Sequence, residues 1–158
     1  MDYIELHEDL QRVLEDLIEK NHSVPIIVEG EWDRRALRSL GVNGDILVLN
    51  QGNRILTLAE SIAHAHREAI ILTDWDVRGG RIARSLRDAL EACGVRYDDE
   101  LRARLTILCR KDIKDVESLN TFAERIAEMA ASRNQQRPSK RFYSDRVARR
   151  DSRRRSRD

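Results

Sequence analysis

Cysteine is nearly absent: the chain has two, Cys93 and Cys109, among 158 residues. That excludes a disulfide framework and a zinc site built from four thiolates. Long hydrophobic runs are missing too, since none reaches the ~18 apolar residues that a membrane helix needs. The opening Met1-Asp2-Tyr3-Ile4-Glu5 has neither the basic nor the apolar part of a secretion signal. The expectation is a reduced, cytoplasmic protein with no membrane partner. What is present is 41% apolar and 36% charged residues, enough for one compact domain under a heavily ionised surface.

The net charge of +1 hides a division along the chain. From Arg133 onward, 11 Lys and Arg stand against 3 acids, a balance of +8 that leaves −7 for the residues before it. An acidic body with a basic end suggests that the end meets a polyanion; a solvated end that only balances the body's charge fits the composition equally well. With no apolar periodicity and only Phe142, Tyr143 and Val147 to bury, residues 133–158 are expected to be disordered.

Apolar residues at Leu6, Leu10, Val13, Leu14, Leu17 and Ile18 recur at spacings of three and four, which predicts a helix over residues 1–23 packed on the domain. Asp2 with Glu5 gives it a capping pair, and Asn21-His22-Ser23 ends it. From Val24 short apolar runs alternate with helical stretches. Val24–Val28, Asp45–Leu49, Ala69–Thr73 and Leu105–Cys109 read as strands. The stretches between them read as helices, with Gly41 and Gly94 as terminating glycines and a last helix near Thr121–Ala131. Strands that are apolar on both faces imply a parallel sheet covered on both sides. The predicted fold is therefore α/β, a doubly wound four-stranded parallel sheet over residues 24–132, with an extra N-terminal helix.

Ligands of such sheets bind beyond the carboxyl ends of the strands, where the winding reverses. The first strand ends in Glu29-Gly30-Glu31-Trp32-Asp33, the third in Asp74-Trp75-Asp76-Val77-Arg78-Gly79-Gly80. Residues i and i+2 of an extended chain share a side, so Asp74 and Asp76 are placed to converge with Glu29. Three carboxylates at one site repel each other, and a hard cation relieves the repulsion. Mg²⁺ suits the set, because it takes few carboxylates and keeps waters or phosphates. Gly30 and Gly79 are expected at the turns, with an anion favoured at the helix N-terminus that follows. The plainer reading is that an acidic residue after a strand caps the next helix.

Ile27-Val28-Glu29-Gly30, Asp33, Ile71-Leu72-Thr73-Asp74-Trp75-Asp76 and Gly79 together resemble the Toprim domain of topoisomerases, bacterial primases, recombination proteins and ribosomal-RNA-maturing ribonucleases. The resemblance covers about Val24 to Leu119 and is nearest to small stand-alone archaeal Toprim proteins; Lys114-Asp115-Val116-Glu117-Ser118-Leu119 is similar to a segment that these relatives carry after the fourth strand. It implies Mg²⁺-dependent phosphoryl chemistry on RNA or DNA. Glu29 and Asp74 would hold one ion, and Asp74 and Asp76 a second, with Mn²⁺ as a substitute. Glu29 would also serve as general acid or base. The ribonucleases usually carry lysine where this chain has Glu31, so that phosphate-contacting cation of the family pattern is absent here. No tyrosine-bearing topoisomerase domain or zinc-ribbon primase module accompanies the motif.

Around these acids, Arg78 and Arg81 are candidates for phosphate contacts, with Asp33 and Glu117 placed near the nucleic acid. Glu117 is expected to return to the same edge of the sheet; capping of the last helix is the plainer alternative. Arg84, Arg87, Arg34, Arg35 and Arg38 fit a solvated basic surface as well as a binding one. Trp32 and Trp75 each flank a carboxylate, as core or lid residues or as surfaces for an unpaired base. Three functions compete: a metal-dependent nuclease or phosphotransferase, a non-catalytic metal-binding nucleic-acid or assembly factor, and a haloacid-dehalogenase-like phosphatase that uses Asp74-Trp75-Asp76-Val77. The oligomeric state stays open.

Overall fold

Residues alternate across the central strands, and each face of the sheet has its own helical cover. The computed structural model describes residues 2–50 and 54–136. Among these, β1 (Ile26–Val28), β2 (Ile46–Val48), β3 (Glu68–Ile71) and β4 (Arg96–Asp98) form one parallel sheet in the order β2-β1-β3-β4. The helices are α1 (Tyr3–Asn21), α2 (Glu31–Ser39), α3 (Ile55–Ala65), α4 (Val77–Ala92), α5 (Glu100–Cys109) and α6 (Leu119–Gln136). None of them is long and apolar enough to cross a membrane.

Ile26, Val28, Ile70 and Leu72 pack with Leu10 of α1, Leu105 of α5 and Phe122 of α6. Ile27, Ala69 and Ile71 belong to a second cluster with Ile62 of α3 and Leu86 of α4. This period of two, buried on both sides, is the doubly wound α/β arrangement that the apolar runs predict. From β1 the chain moves to β2 on one side and then to β3 on the other, so the winding reverses between β1 and β3.

α1 buries Leu6, Leu10, Val13, Leu14 and Leu17 against α5 and α6. Asp2 caps it by accepting from the Ile4 N–H at 2.9 Å. At its other end the buried Asn21 side chain donates to the carbonyls of Val24 and Asp45 and accepts from Gly44 N–H. Those bonds fasten the helix to the loop before β2. Gly41 and Gly94, at φ +94° and +73°, follow α2 and α4 in the left-handed conformation, as expected of terminating glycines.

The fourth strand lies elsewhere than expected. Leu105-Thr106-Ile107-Leu108-Cys109 is the second half of α5. Leu101, Leu105 and Cys109 are buried at four-residue spacing, while Ile107 in the middle of the run is 69% exposed. A short apolar run alone does not separate a strand from a packed helix. Among the described residues the actual β4, Arg96-Tyr97-Asp98, pairs only with β3, and an edge strand can carry polar residues. The segment containing Glu117 therefore follows a helix rather than a strand. α6 runs on to Gln136, so Arg133 is helical, with its guanidinium 5.9 Å from the centre of the Tyr3 ring. The rest of the expected tail, residues 137–158, lies outside the described residues.

Candidate functional site

Because β1 and β3 are adjacent and parallel, their carboxyl ends deliver Glu29 and Asp74 to the same edge. The Glu29 Oε2 accepts the backbone N–H of Asp74 at 2.8 Å. The two residues border a cleft of about 490 Å³ whose acidic wall also includes Asp33 and Glu117. Leu49, Ile55 and Ile82 form an apolar wall, and Gly30, Asn50 and Arg78 complete the lining.

The loop that carries Asp74 is held from several directions. Its Oδ1 accepts the N–H of Val116 at 2.9 Å. Trp75 donates its backbone N–H to the Lys114 carbonyl (2.9 Å) and its indole N–H to that of Ile113 (2.6 Å). Arg102 of α5 reaches across to the carbonyls of Thr73 (3.0 Å) and Asp74 (2.7 Å). Burial holds its guanidinium below the ordinary arginine pKa, and neighbouring Arg87 adds to the effect. A strand over Leu105–Cys109 gives Arg102 no place at the site; the helix that begins at Glu100 turns its side chain toward the Asp74 loop. On the other side, Gly79 is packed so closely that a Cβ there would lie 1.9 Å from the Asp74 carbonyl oxygen. Its role is this close approach inside the first turn of α4.

Asp76 takes a different position from the expected one. It is the N-cap of α4, and its Oδ1 accepts the Gly79 N–H at 2.6 Å. It is not among the residues that line the cleft. Gly30 is likewise the N-cap of α2, with extended backbone (φ −147°) that any residue can adopt; its N–H donates to the Asp33 Oδ2 at 3.0 Å. It is not a glycine-specific turn. Asp33 is 5% exposed and faces the cleft from the first turn of α2. Glu117 is exposed but lines the same cleft. Arg78 is exposed at the cleft, whereas Arg81 is exposed outside it. Glu31 lies along α2 and pairs with Arg34. Arg38 donates to the carbonyls of Val42 and Gly44, a structural use.

The acids strain each other electrostatically. Burial pushes Asp74 up to about 7, helped by the charges of Asp33 and of the adjoining Glu29 carboxylate. The backbone bond from Val116 opposes this rise. Burial also pushes Asp33 up to about 6, with Glu29, Glu117 and Asp115 adding repulsion. Two carboxyls that resist ionisation beside further acids form a site that gains from a cation. Among the described residues, no group of three or more His, Cys, Asp and Glu side chains is disposed to hold a metal ion together. The donor chemistry nevertheless suits Mg²⁺, which takes one or two carboxylates and keeps several waters. Glu29 and Asp74 supply that number.

Comparison with known proteins identifies similar chains. No family model matches. A UPF0292 protein of Methanosarcina barkeri is 34% identical over 120 residues, covering 75% of this chain and 83% of the relative. One from Pyrococcus horikoshii is 36% identical over 127 residues, covering 79% and 92%. One from Thermococcus gammatolerans is 44% identical over 116 residues, covering 71% and 84%. A solved structure of a protein from Aquifex aeolicus superposes with a TM-score of 0.61 at 23% identity, covering 68% of this chain and 95% of that one. That last likeness concerns the fold alone.

Proposed function

The chain belongs to the UPF0292 family, and from its carboxylate cleft we propose a Toprim-type protein that performs Mg²⁺-dependent phosphodiester cleavage or transfer on RNA or DNA. The observation that carries this reading is the meeting of Glu29 and Asp74 across the ends of adjacent parallel strands. A divalent cation bound there supplies positive charge for phosphate oxygens and lowers the pKa of a water.

The chain's own residues supply the rest. Glu29 and Asp74 are the carboxylates to hold the cation. Arg102 and Gly79 fix the backbone of Asp74, so its carboxylate is positioned before substrate arrives. Arg78 at the cleft offers a guanidinium to a phosphate. Asp33, with its pKa raised to about 6, is a better proton acceptor than an ordinary carboxylate and is placed to exchange a proton with a group in the cleft.

A second reading, a metal-binding nucleic-acid or assembly factor without cleavage, draws on Asp76. Asp76 lies outside the lining of the cleft and commits one carboxylate oxygen to the helix cap, which leaves it less available to a second ion. Incubation of the full chain with structured RNA, single-stranded DNA or plasmid, in Mg²⁺, Mn²⁺ or EDTA, separates the two. Metal-dependent cleavage that disappears with Asp74→Asn supports the enzyme; metal-dependent binding without cleavage selects the factor.

A further inference from the structure

Four large hydrophobic side chains are exposed among the described residues, and three of them, Trp32, Leu56 and Val77, stand in the first turns of α2, α3 and α4. In a parallel sheet these turns all lie at the carboxyl edge, so the exposed apolar side chains share that edge with the carboxylate cleft. The two tryptophans differ in use. Trp75 commits its indole N–H to Ile113 and packs against the core. Trp32 is 66% exposed. Arg35 places its guanidinium 4.8 Å from the Trp32 ring centre, on one face. Beside the pair lies a hollow of about 240 Å³ completed by Ala36, Glu117 and Asn120. Glu117 also lines the cleft that contains Asp74, so the two spaces meet at one side chain.

We propose that the hollow at Trp32 and Arg35 takes an unpaired nucleobase from the strand whose phosphate enters the carboxylate cleft. The proposal rests on the nucleic-acid reading above and deepens it by naming a single-stranded or looped substrate. An exposed indole offers a stacking face to any base, and a guanidinium beside it adds a cation–π contact. Asn120 carries both a donor and an acceptor for a base edge. Glu117 only accepts, which favours bases bearing an exocyclic amine, such as cytosine, over uracil. A base inside a duplex is stacked and paired, so it reaches the hollow only after being extruded.

The test uses the full chain with labelled single-stranded oligocytidylate, oligouridylate and an abasic strand of equal length, read by anisotropy and tryptophan fluorescence. The expected result is that Trp32→Ala weakens oligocytidylate binding by about five- to a hundredfold, while Trp32→Phe keeps most of it. The abasic strand should bind the wild type and Trp32→Ala alike, and quenching of the exposed tryptophan by oligocytidylate should vanish in Trp32→Ala. Oligocytidylate should bind more tightly than oligouridylate. Undiminished oligocytidylate binding by Trp32→Ala, with its circular dichroism unchanged, overturns the base site and leaves the nucleic-acid reading standing. Failure of the wild type to bind any of the strands overturns that reading, and the base site with it.

Discussion

Glu29 and Asp74 are joined by a single hydrogen bond of 2.8 Å, from the Asp74 backbone N–H to the Glu29 carboxylate. It ties the end of β1 to the segment after β3 and sets Glu29 beside Asp74, whose charge burial disfavours. The bond positions Asp74, whose carboxyl burial pushes up to about 7 with the Glu29 charge adding to the rise. Stability and cation binding are therefore expected to pull in opposite directions at this site.

Replacing Asp74 with Asn tests that opposition. Asparagine keeps an oxygen for the Val116 N–H but removes the charge. Without metal at pH 8, Asp74→Asn should be more stable than wild type by about 1 kcal/mol, a value discounted for partial solvent exposure. Calorimetry should show that the same substitution loses most Mg²⁺ binding. A variant that is less stable and binds Mg²⁺ normally would refute the assignment.

The pH dependence has a definite sign. Asp33 at about 6 and Asp74 at about 7 both stand above their ordinary value of 3.8. Between about pH 4 and 7 the folded chain holds protons that the unfolded chain has released, so stability falls as pH rises. Urea titrations without metal should give a free energy of unfolding lower at pH 8 than at pH 5 by about 2 kcal/mol. Saturating Mg²⁺ at pH 8 should recover part of that loss. A stability that rises over this interval would remove these two carboxyls as its dominant titrating groups.

How much of this was legible in the residues depends on which physical rule governs each one. Glu29 and Asp74 follow from topology alone, because adjacent parallel strands present their last residues at one edge. Asp76 does not. The i, i+2 rule assumes an extended chain, but the chain bends at Trp75-Asp76 and the Gly79 N–H captures the carboxylate first. Glu117 reaches the cleft as expected, though from the loop after α5 rather than from a strand. Arg102 was invisible because its neighbours Leu105–Cys109 satisfy a strand pattern and a helix pattern equally.

Two neighbouring glycines should respond differently to alanine. At Gly79 the new Cβ meets the Asp74 carbonyl oxygen at 1.9 Å, so either α4 or the Asp74 loop must move. At Gly80 nothing lies within 4 Å, and both positions are helical. Gly79→Ala should cost about 1–3 kcal/mol and weaken Mg²⁺ binding. Gly80→Ala should be neutral or stabilising by about 0.5–1 kcal/mol. Thermal melts with and without Mg²⁺ decide it, and equal effects of the two substitutions would contradict the packing argument.

Arg102→Lys asks whether the Asp74 loop needs the planar guanidinium. Lysine keeps the charge but cannot span the Thr73 and Asp74 carbonyls with fixed, divergent donors. A loss of about 1–3 kcal/mol is expected from carbonyls left partly unsatisfied, together with weaker Mg²⁺ binding. Arg81→Ala, at an exposed position outside the cleft, should change neither quantity. Lysine supporting both stability and metal binding at wild-type levels would show that charge alone suffices.

The basic end of the chain completes the electrostatic argument. Residues 137–158 carry 10 Lys and Arg against 3 acids, while the carboxylates of the cleft all come from residues 29–117. Cations facing a phosphate backbone displace condensed counterions, which gives sequence-independent affinity that weakens steeply with salt. Base stacking in the proposed Trp32 site would depend less on salt and more on an unpaired base. A chain ending at Gln136 retains every described helix and strand. It should fold, bind Mg²⁺ as the full chain does, and bind nucleic acid more weakly with a shallower slope of log affinity against log salt. Its preference for single strands over abasic strands should persist. Identical salt slopes for the long and short chains would assign the basic end no part in binding, and loss of the single-strand preference on shortening would place base recognition in the removed residues instead.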